Sequence, residues 1–200
     1  MFITWIIALP IALSVHEYAH AKVADCLGDP TPRLNGRLTL NPLAHLDPIG
    51  TLTLLLFHFG WGKPVPIDPY NLQNPRKDQA LIALAGPASN FIVVLLLAGI
   101  INFTPLSSLP WFFSLAMSIV MMNLGLGLFN FLPLGPLDGA KIFLGLLPED
   151  LAVEWEQVLN QYGLIGLVLF FLPLINGHSL LELTLGSAIR LILNLLFPFT

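Results

Sequence analysis

The sequence predicts an all-α polytopic membrane protein, with about five to six transmembrane or half-membrane helices and a small membrane-associated β-hairpin or sheet. Of the 200 residues, 56% are hydrophobic and only 10% are charged, whereas soluble domains carry about 25% charged residues. Several apolar runs are long enough to cross a hydrocarbon core of about 30 Å. We expect one domain over residues 1–200, with a core in 1–147 and C-terminal helices in 148–200.

The first predicted helix runs from Phe2 to Leu27 and ends at Gly-Asp-Pro-Thr-Pro, where Gly and Pro are strong stop signals. It lacks the basic start and the A-x-A site of a signal peptide, so we interpret it as a retained membrane helix. The next segment is polar and rich in turn residues. Within it Arg37–Leu40 alternates like a strand, as does Val65–Ile67 further on, and these two pieces are the predicted hairpin.

The run from Thr51 to Gly62 has 12 residues and is too short to span the bilayer as a helix, so we expect a re-entrant or buried short helix. Two full spans are predicted at Ala80–Phe103 and Trp111–Leu134. The C-terminal part is expected to hold an amphipathic surface helix and two apolar helices that either span or lie half-buried. These three helices are placed at Leu147–Gly163, Leu164–Ile175 and Leu180–Phe199.

Basic residues indicate how the chain is oriented in the membrane. Six of the eight Lys and Arg side chains lie between residues 22 and 77, which predicts a cytoplasmic position for the segment before the first full span. The last turns of the first helix then lie at the cytoplasmic side. The turn Leu134–Gly139, which follows the second full span, is expected at the same depth.

HEYAH, residues 16–20, is the most unusual feature of the first helix. In a helix His16 and His20 lie one turn apart on one face, and Glu17 lies beside them. Zinc suits imidazole and carboxylate ligands, and Glu17 could take a proton from the attacking water as general base. The alternatives are a chance match to H-E-x-x-H and a proton-relay or transport role, since ionisable groups inside membranes are usually functional.

A catalytic zinc ion needs a third protein ligand and an open position. Asp138 is preferred because it follows a full span at the same expected depth, where Pro133, Gly135 and Pro136 break the helix. Its alternative role is that of a turn residue at the membrane interface. The full set of candidates is Asp25, Asp29, His45, Asp47, Asp138 and, more weakly, His58.

HEYAH and the later NFLPLGPLDG together resemble the paired motifs of the site-2 protease family of intramembrane zinc metalloproteases, H-E-x-x-H and N-x-x-P-x-x-x-L-D-G. GPASN, residues 86–90, is similar to the family's G-P-x-x-N, and GRLTLNPLAHLDPIG is similar to the segment that follows H-E-x-x-H in compact prokaryotic members. The resemblance covers residues 10 to 147 and is to a compact member without a PDZ or CBS domain.

The resemblance implies a role for each matching residue. One Zn²⁺ per chain is held by His16, His20 and Asp138, with Glu17 as general base. Asn130 is expected near the site, where its amide binds the substrate backbone or the oxyanion, or else links helices. The residues with two open interpretations are Asn90 (substrate or helix contact), His45 (support behind the ligands or loop capping), and Gly86 with Pro87 (close helix packing rather than substrate contact).

The resemblance also implies that the protein cuts transmembrane segments of other proteins in a prokaryotic cell membrane, with its active site toward the cytoplasmic side. The expected partners are a transmembrane protein substrate, bound as an added strand at the predicted hairpin, and the lipid bilayer. The sequence has no basic stripe of the kind that binds nucleic acid, so a nucleic-acid partner is not expected. An oligomer is possible, but nothing in the sequence supports one. A metal or proton transporter and an inactive scaffold are the rival functions.

Overall fold

The computed structural model describes residues 2–57, 60–173 and 175–198. Helices α1, α4 and α5 pack on one another, α6 packs on α4, and α7 and α8 lie outside this bundle, against α6 and α5 respectively. The helices of the described residues are α1 (Phe2–Cys26), α2 (Thr31–Leu34), α3 (Pro48–Phe57), α4 (Pro75–Phe103), α5 (Pro110–Asn130), α6 (Asp138–Leu146), α7 (Glu149–Phe171) and α8 (Leu180–Leu196).

The mostly helical architecture is confirmed. Among the described residues, α4 and α5 are the two helices that are long and apolar enough to cross a membrane. The outward face of α4 is apolar, with Ile92, Leu95 and Leu96 more than half exposed, whereas the amide side chains of Asn90 in α4 and Asn123 in α5 are fully buried. The wider count of five to six transmembrane or half-membrane helices stays a prediction.

The predicted β-hairpin is wrong for the described residues, because neither Arg37–Leu40 nor Val65–Ile67 forms a strand. The structure has only isolated bridges here, such as the one between Leu46 and Gly62. The physical reason lies in the prolines: Pro64 and Pro66 have no N–H to donate to a ladder. Residues 60–67 instead form an irregular segment, called the strap below, that is neither helix nor strand and is held by side chains and single backbone contacts.

Two helix boundaries differ from the prediction because polar residues begin or end the helices. Helix α4 starts at Pro75 rather than Ala80: Pro75 suits the first helical position, and the Asp78 carboxylate accepts a 2.8 Å hydrogen bond from the Asn74 N–H. Helix α5 ends at Asn130 rather than Leu134, because residues 131–137 turn back toward α1.

The C-terminal region also differs from the prediction. The amphipathic segment and the apolar run after it form one continuous helix, α7, from Glu149 to Phe171. Gly163 lets α7 approach closely, since a Cβ there would lie 2.9 Å from the backbone nitrogen of Gly135. Helix α6, which the sequence analysis did not predict, begins at Asp138 itself.

The end of α1 is fixed by a Schellman turn and a buried carboxylate. Gly28 has φ +106°, a conformation that favours glycine, and the Asp29 N–H donates to the Ala24 carbonyl at 3.0 Å. The Asp29 side chain is fully buried and accepts hydrogen bonds from the Thr31 N–H, the Asp68 N–H and the Asn71 amide at 2.8–3.0 Å. It therefore ties the end of α1 to the chain that precedes α4.

We expect Asp29→Asn to lower the free energy of unfolding by about 1–3 kcal/mol, because an amide NH₂ would then face a backbone N–H donor inside the protein. The measurement is thermal or denaturant unfolding in detergent. Asp68→Asn is the matched control, since Asp68 accepts one hydrogen bond, from the Tyr70 N–H, which an amide oxygen can also accept. Equal stability of the two variants would contradict the assignment.

The same contacts predict a pH dependence. Burial raises the pKa of Asp29, but the hydrogen bonds from Thr31, Asp68 and Asn71 outweigh it and hold that pKa below its ordinary value. A carboxylate with a depressed folded-state pKa stabilises the protein above its unfolded-state pKa of about 3.9 and loses that contribution as the pH falls. Parent and Asp29→Asn should therefore converge in stability below about pH 4.

Candidate metal centre

Two imidazoles of α1 form the base of the site. His16 and His20 are one helical turn apart and are 3% and 7% exposed, and their rings meet edge to face with centroids 4.6 Å apart. They line a cleft of about 330 Å³, which Glu17, Asn130, Asp138 and part of the strap also border. The helical spacing therefore places both rings on one face, as the sequence predicts.

Asp138, the first residue of α6, faces these imidazoles. Its Oδ2 atom lies 3.1 Å from His16 Nε2 and 3.2 Å from His20 Nε2. The turn before it is tight: a Cβ at Gly139 would overlap the carbonyl oxygens of Leu132 and Phe131. The glycine that follows Asp138 thus allows the chain to fold back and start α6 with its first carboxylate facing α1.

The hydrogen bonds of the two Nδ1 atoms determine whether the Nε2 atoms can act as metal ligands. His16 Nδ1 lies 2.6 Å from Asn90 Oδ1, and His20 Nδ1 lies 2.7 Å from the Ile82 carbonyl oxygen. Because these oxygens only accept, both Nδ1 atoms carry the proton and donate it. A neutral imidazole protonated at Nδ1 presents a lone pair at Nε2, so both Nε2 lone pairs are available on the side of Asp138.

Asn90 is itself held in place, and this fixes its orientation toward His16. Its Nδ2 group donates to the Ala12 carbonyl at 3.1 Å and to Asn123 Oδ1 at 2.8 Å. Asn123 in turn donates to the Ile119 carbonyl of its own helix at 2.8 Å. With the Nδ2 hydrogens engaged, the Asn90 oxygen must face His16, and a chain of buried amides links α5 to the first imidazole.

Gly86 leaves room for the two rings. A Cβ at this position would overlap His20 Nε2 and approach His16 Cε1 to 2.7 Å. Helix α4 can therefore lie directly against the imidazoles only because residue 86 has no side chain. The expectation of close packing at Gly86 is consistent with this contact, although its neighbours are the imidazoles themselves.

The donor set fits a zinc ion. Two imidazole nitrogens and one carboxylate oxygen are typical ligands of catalytic zinc, and at zinc–ligand distances of 2.0–2.2 Å tetrahedral ligand atoms lie about 3.3 Å apart. The observed separations of 3.1 and 3.2 Å from Asp138 Oδ2 are close to that value. In the part of the chain that the structure describes, His16, His20 and Asp138 are the group that could hold a metal ion.

The Nε2 atoms of His16 and His20 and the Oδ2 atom of Asp138 are all acceptors. At 3.1–3.2 Å from Oδ2, the two Nε2 atoms need positive charge between them and the carboxylate, and this charge comes from protons or from a metal ion. Burial raises the pKa of Asp138, but its hydrogen bonds with His16 and His20 outweigh that effect and hold the pKa well below its usual range. The carboxylate is therefore ionised at neutral pH and available as a ligand.

Glu17 lies beside the ligands and not among them. Its half-buried side chain borders the cleft, and its Oε2 atom accepts a 3.2 Å hydrogen bond from the Val65 N–H of the strap. A carboxylate next to a metal site, with one oxygen fixed, is suited to accept and return a proton.

The structure places the other predicted residues as follows. Asn130 borders the cleft and donates to its own helix at the Leu126 carbonyl, at 3.0 Å. Asn90 lies behind His16 and is fully buried rather than in the cleft. His45 is fully buried outside the ligand group and contacts the Thr39 carbonyl at 2.7 Å.

The remaining candidates for the third ligand are engaged elsewhere. Asp25 pairs with Arg33 at 3.2 Å, and Asp47 accepts from the Gly50 N–H at the start of α3. Asp29 holds the end of α1, as described above. His58 lies outside the described residues.

Sequence reasoning missed three contributors to the site: the carbonyl of Ile82, the N–H of Val65 and the side chain of Asn123. Backbone groups carry no sequence signal, so the first two could not be found. Asn123 did carry one, because it is an amide in the middle of an otherwise apolar run and such groups are paired when buried.

This chain is similar to proteins that are named as zinc metalloproteases. A Bacillus subtilis protein named "Putative zinc metalloprotease YwhC" is 40% identical over 179 residues, which cover 84% of this chain and 80% of that protein. Two proteins named "Putative zinc metalloprotease Rip2", from Mycolicibacterium smegmatis and Mycobacterium tuberculosis, are 31% and 30% identical, each covering 88% of this chain and 70% of the relative. No family model and no solved structure matches.

We expect Gly86→Ala to lose bound zinc, because the added Cβ would displace both imidazoles. The measurement is the metal content of purified protein after dialysis against a weak chelator. Gly99→Ala is the control on the same helix, since a Cβ there meets no atom within 4 Å. Retention of one zinc ion by Gly86→Ala would contradict the described packing.

Asn90→Ala should weaken zinc binding by about 10–100-fold, the usual effect of removing the acceptor that orients a metal-ligating histidine. The measurement is competition with a chelator of known affinity. Asn102→Ala on the same helix is the control, since Asn102 contacts the Leu196 carbonyl far from the site. An unchanged affinity in Asn90→Ala would show that the His16 orientation does not depend on Asn90.

Proposed function

Because this chain belongs to the zinc metalloprotease family of YwhC and Rip2, we propose that it is an intramembrane endopeptidase of the site-2 protease type. Its substrates are membrane proteins, which it cuts in or near their transmembrane segments. One observation carries the proposal: three residues that could hold a metal ion and the carboxylate of Glu17 meet in one cleft between apolar helices.

The membrane setting is supported by the distribution of polar and apolar side chains. Helices α4 and α5 have the length and hydropathy of membrane spans. Helix α4 exposes leucine and isoleucine, and each of the two helices buries an amide side chain, Asn90 in α4 and Asn123 in α5, an arrangement that suits a lipid environment. From Gln79 to the end of α4, and throughout α5, no residue is ionisable, so a transport pathway through these helices is not favoured.

We place the site toward the cytoplasmic side of a prokaryotic cell membrane. The supporting observation is the basic cluster in residues 22–77, which includes Arg76 and Lys77 in the first turn of α4. His16 and His20 lie in the second half of α1, and Asp138 follows the turn after α5. All three ligands therefore belong to the same end of the bundle as the basic residues.

The residues divide the chemistry of peptide hydrolysis between them. His16, His20 and Asp138 hold the zinc ion, which when bound polarises the scissile carbonyl and acidifies water. Glu17 accepts a proton from the attacking water as the new carbon–oxygen bond forms. As the carbon–nitrogen bond breaks, Glu17 returns that proton to the leaving amine.

Asn130 is proposed to contact the substrate from the wall of the cleft. One of its two amide hydrogens is donated to the Leu126 carbonyl, and its NH₂ group has a second one. That hydrogen is available for the substrate carbonyl or for the oxyanion that develops from it.

The strap is proposed to lie beside the unwound substrate. Residues 60–62, 64, 65 and 67 border the cleft, in a segment that is neither helix nor strand, but Pro64 and Pro66 supply no N–H and the Val65 N–H is bound to Glu17. The strap therefore offers a substrate strand mainly carbonyl acceptors and apolar contacts rather than a full ladder of hydrogen bonds.

The test is cleavage of a synthetic single-span peptide, with a fluorophore and a quencher on opposite sides of its apolar helix, by protein in detergent or vesicles. Glu17→Gln should keep its zinc and lose about 100–10,000-fold in rate, the usual contribution of a general base. Asp138→Ala should lose zinc as well as activity. Glu154→Gln on the exposed surface of α7 is the control and should match the parent.

Three results would contradict the proposal. The first is full activity in Glu17→Gln, and the second is full zinc content in Asp138→Ala. The third is failure of the zinc-loaded parent to cut the spanning peptide while it cuts an unstructured soluble peptide, which would indicate a protease that does not act on membrane segments.

A further inference from the structure

We propose that Arg37 is a positioning residue for Glu17, acting through the strap, and this inference rests on the proposed role of Glu17 as general base. Arg37 follows α2 and does not border the cleft itself. The strap lies between Arg37 and the general base, because its residue 63 contacts Arg37 and its residue 65 contacts Glu17.

Both ends of the strap are fixed by close packing. At one end Gly62 bridges to Leu46, and a Cβ on Gly62 would lie 2.9 Å from the Leu13 side chain of α1. Gly50 of α3 faces the Trp61 backbone, where a Cβ would overlap the carbonyl. At the other end Ile67 packs against the buried cluster of Ala24, Leu72 and Ile82. The residues between Gly62 and Ile67 therefore form a short segment that is fixed at both of its ends.

The middle of the strap has few backbone groups with which to hold Glu17. Pro64 and Pro66 have no N–H, so Val65 supplies the only backbone donor between Lys63 and Ile67, and it donates to Glu17 Oε2 at 3.2 Å. Lys63 is held on both of its backbone groups: its N–H donates to the His45 carbonyl at 2.8 Å, and its carbonyl accepts from Arg37 Nη2.

The surroundings of Arg37 indicate more than a packing role. Its side chain is 4% exposed, and its Nε and Nη1 atoms have no hydrogen-bond partner, which is costly for a charged group. Burial lowers the pKa of Arg37, and the Glu17 carboxylate opposes that effect. The Arg37 guanidinium thus attracts the Glu17 carboxylate electrostatically. It also binds the Lys63 carbonyl, which lies two residues before the Val65 N–H that donates to Glu17.

The consequence for the reaction concerns the two oxygens of Glu17. With Oε2 bound to the strap, the proton from water is received by Oε1, and the carboxylate does not have to reorient during the reaction. If Arg37 is removed, the strap can shift and the carboxylate can rotate, although zinc remains bound by His16, His20 and Asp138. We therefore expect slower chemistry with little change in substrate binding.

The kinetic test uses Arg37→Met with the quenched spanning peptide. We expect kcat to fall about 10–100-fold, with KM changed less than about threefold and one zinc ion retained, the pattern of a lost transition-state interaction. Arg37→Lys should recover part of the loss, since an ammonium can still donate to the Lys63 carbonyl. Arg33→Met is the matched control, because Arg33 is exposed and pairs with Asp25 away from the strap.

A double variant separates an effect through Glu17 from a general structural effect. Glu17→Gln combined with Arg37→Met should be no slower than Glu17→Gln alone, because residues that act as a unit are not additive. If the double variant is instead slower than Glu17→Gln by about 10-fold, the same factor by which Arg37→Met alone is slower than the parent, the inference is overturned.

Amide hydrogen exchange provides a measurement that does not depend on catalysis. In the zinc-loaded parent the Lys63 and Val65 amides should be protected, and in Arg37→Met a peptide spanning residues 62–67 should exchange at least about 10-fold faster. Arg33→Met should exchange like the parent. Unchanged exchange in Arg37→Met would show that Arg37 does not hold the strap.

Val65→Pro tests the same contact without changing Arg37. It removes the N–H donor of the strap in a segment that already contains two neighbouring prolines, so kcat should fall as in Arg37→Met. If Glu17→Gln abolishes cleavage while Arg37→Met and Val65→Pro both keep the parent kcat, this inference fails and the proposed function stands. If Glu17→Gln is fully active, the proposed function fails, and the exchange measurement still tests whether Arg37 holds the strap.

Discussion

Two imidazoles inside an apolar bundle present four ring nitrogens, and each of them requires a partner because an unsatisfied buried polar group costs about 1–3 kcal/mol. The structure meets this requirement by dividing the nitrogens into two pairs. Both Nδ1 atoms donate to oxygens of α4, from Ile82 and Asn90, and both Nε2 atoms face one oxygen of Asp138. The positions of α4 and α6 relative to α1 follow from this division.

The helices can only satisfy these nitrogens if they approach closely, and small residues permit that approach. Gly86 brings α4 against the rings, Gly139 lets the chain turn back at Asp138, and Gly163 lets α7 cover that turn at the Gly135 backbone. Gly127 plays a similar part behind the site, where a Cβ would lie 3.3 Å from Asn90. The close packing at these glycines and the hydrogen bonds of the imidazoles therefore support the same arrangement of the helices.

The parts of the site that follow from local geometry could be predicted from the sequence. The spacing of His16 and His20 places them on one helical face, and the order of the two predicted spans predicts that Asp138 lies at the same end of the bundle. The start of α4 was misplaced because hydropathy alone ignores Pro75 and the cap that Asp78 provides. Val65–Ile67, at the end of the strap, is predicted as a strand from its alternation, although Pro66 in its middle argues against a ladder. The contacts of Val65 and Arg37 depend on the path of an irregular segment, which no periodic pattern reveals.

The ligands of the metal centre also lie far apart along the chain. Asp138 follows His16 by 122 residues, and four other α-helices, α2 to α5, lie between α1 and α6 in the described chain. During synthesis the H-E-x-x-H helix is therefore made long before its third ligand exists, and a growing chain that ends before α6 has only two of the three zinc ligands. The metal centre is therefore incomplete until α6 has been made and has packed against α4.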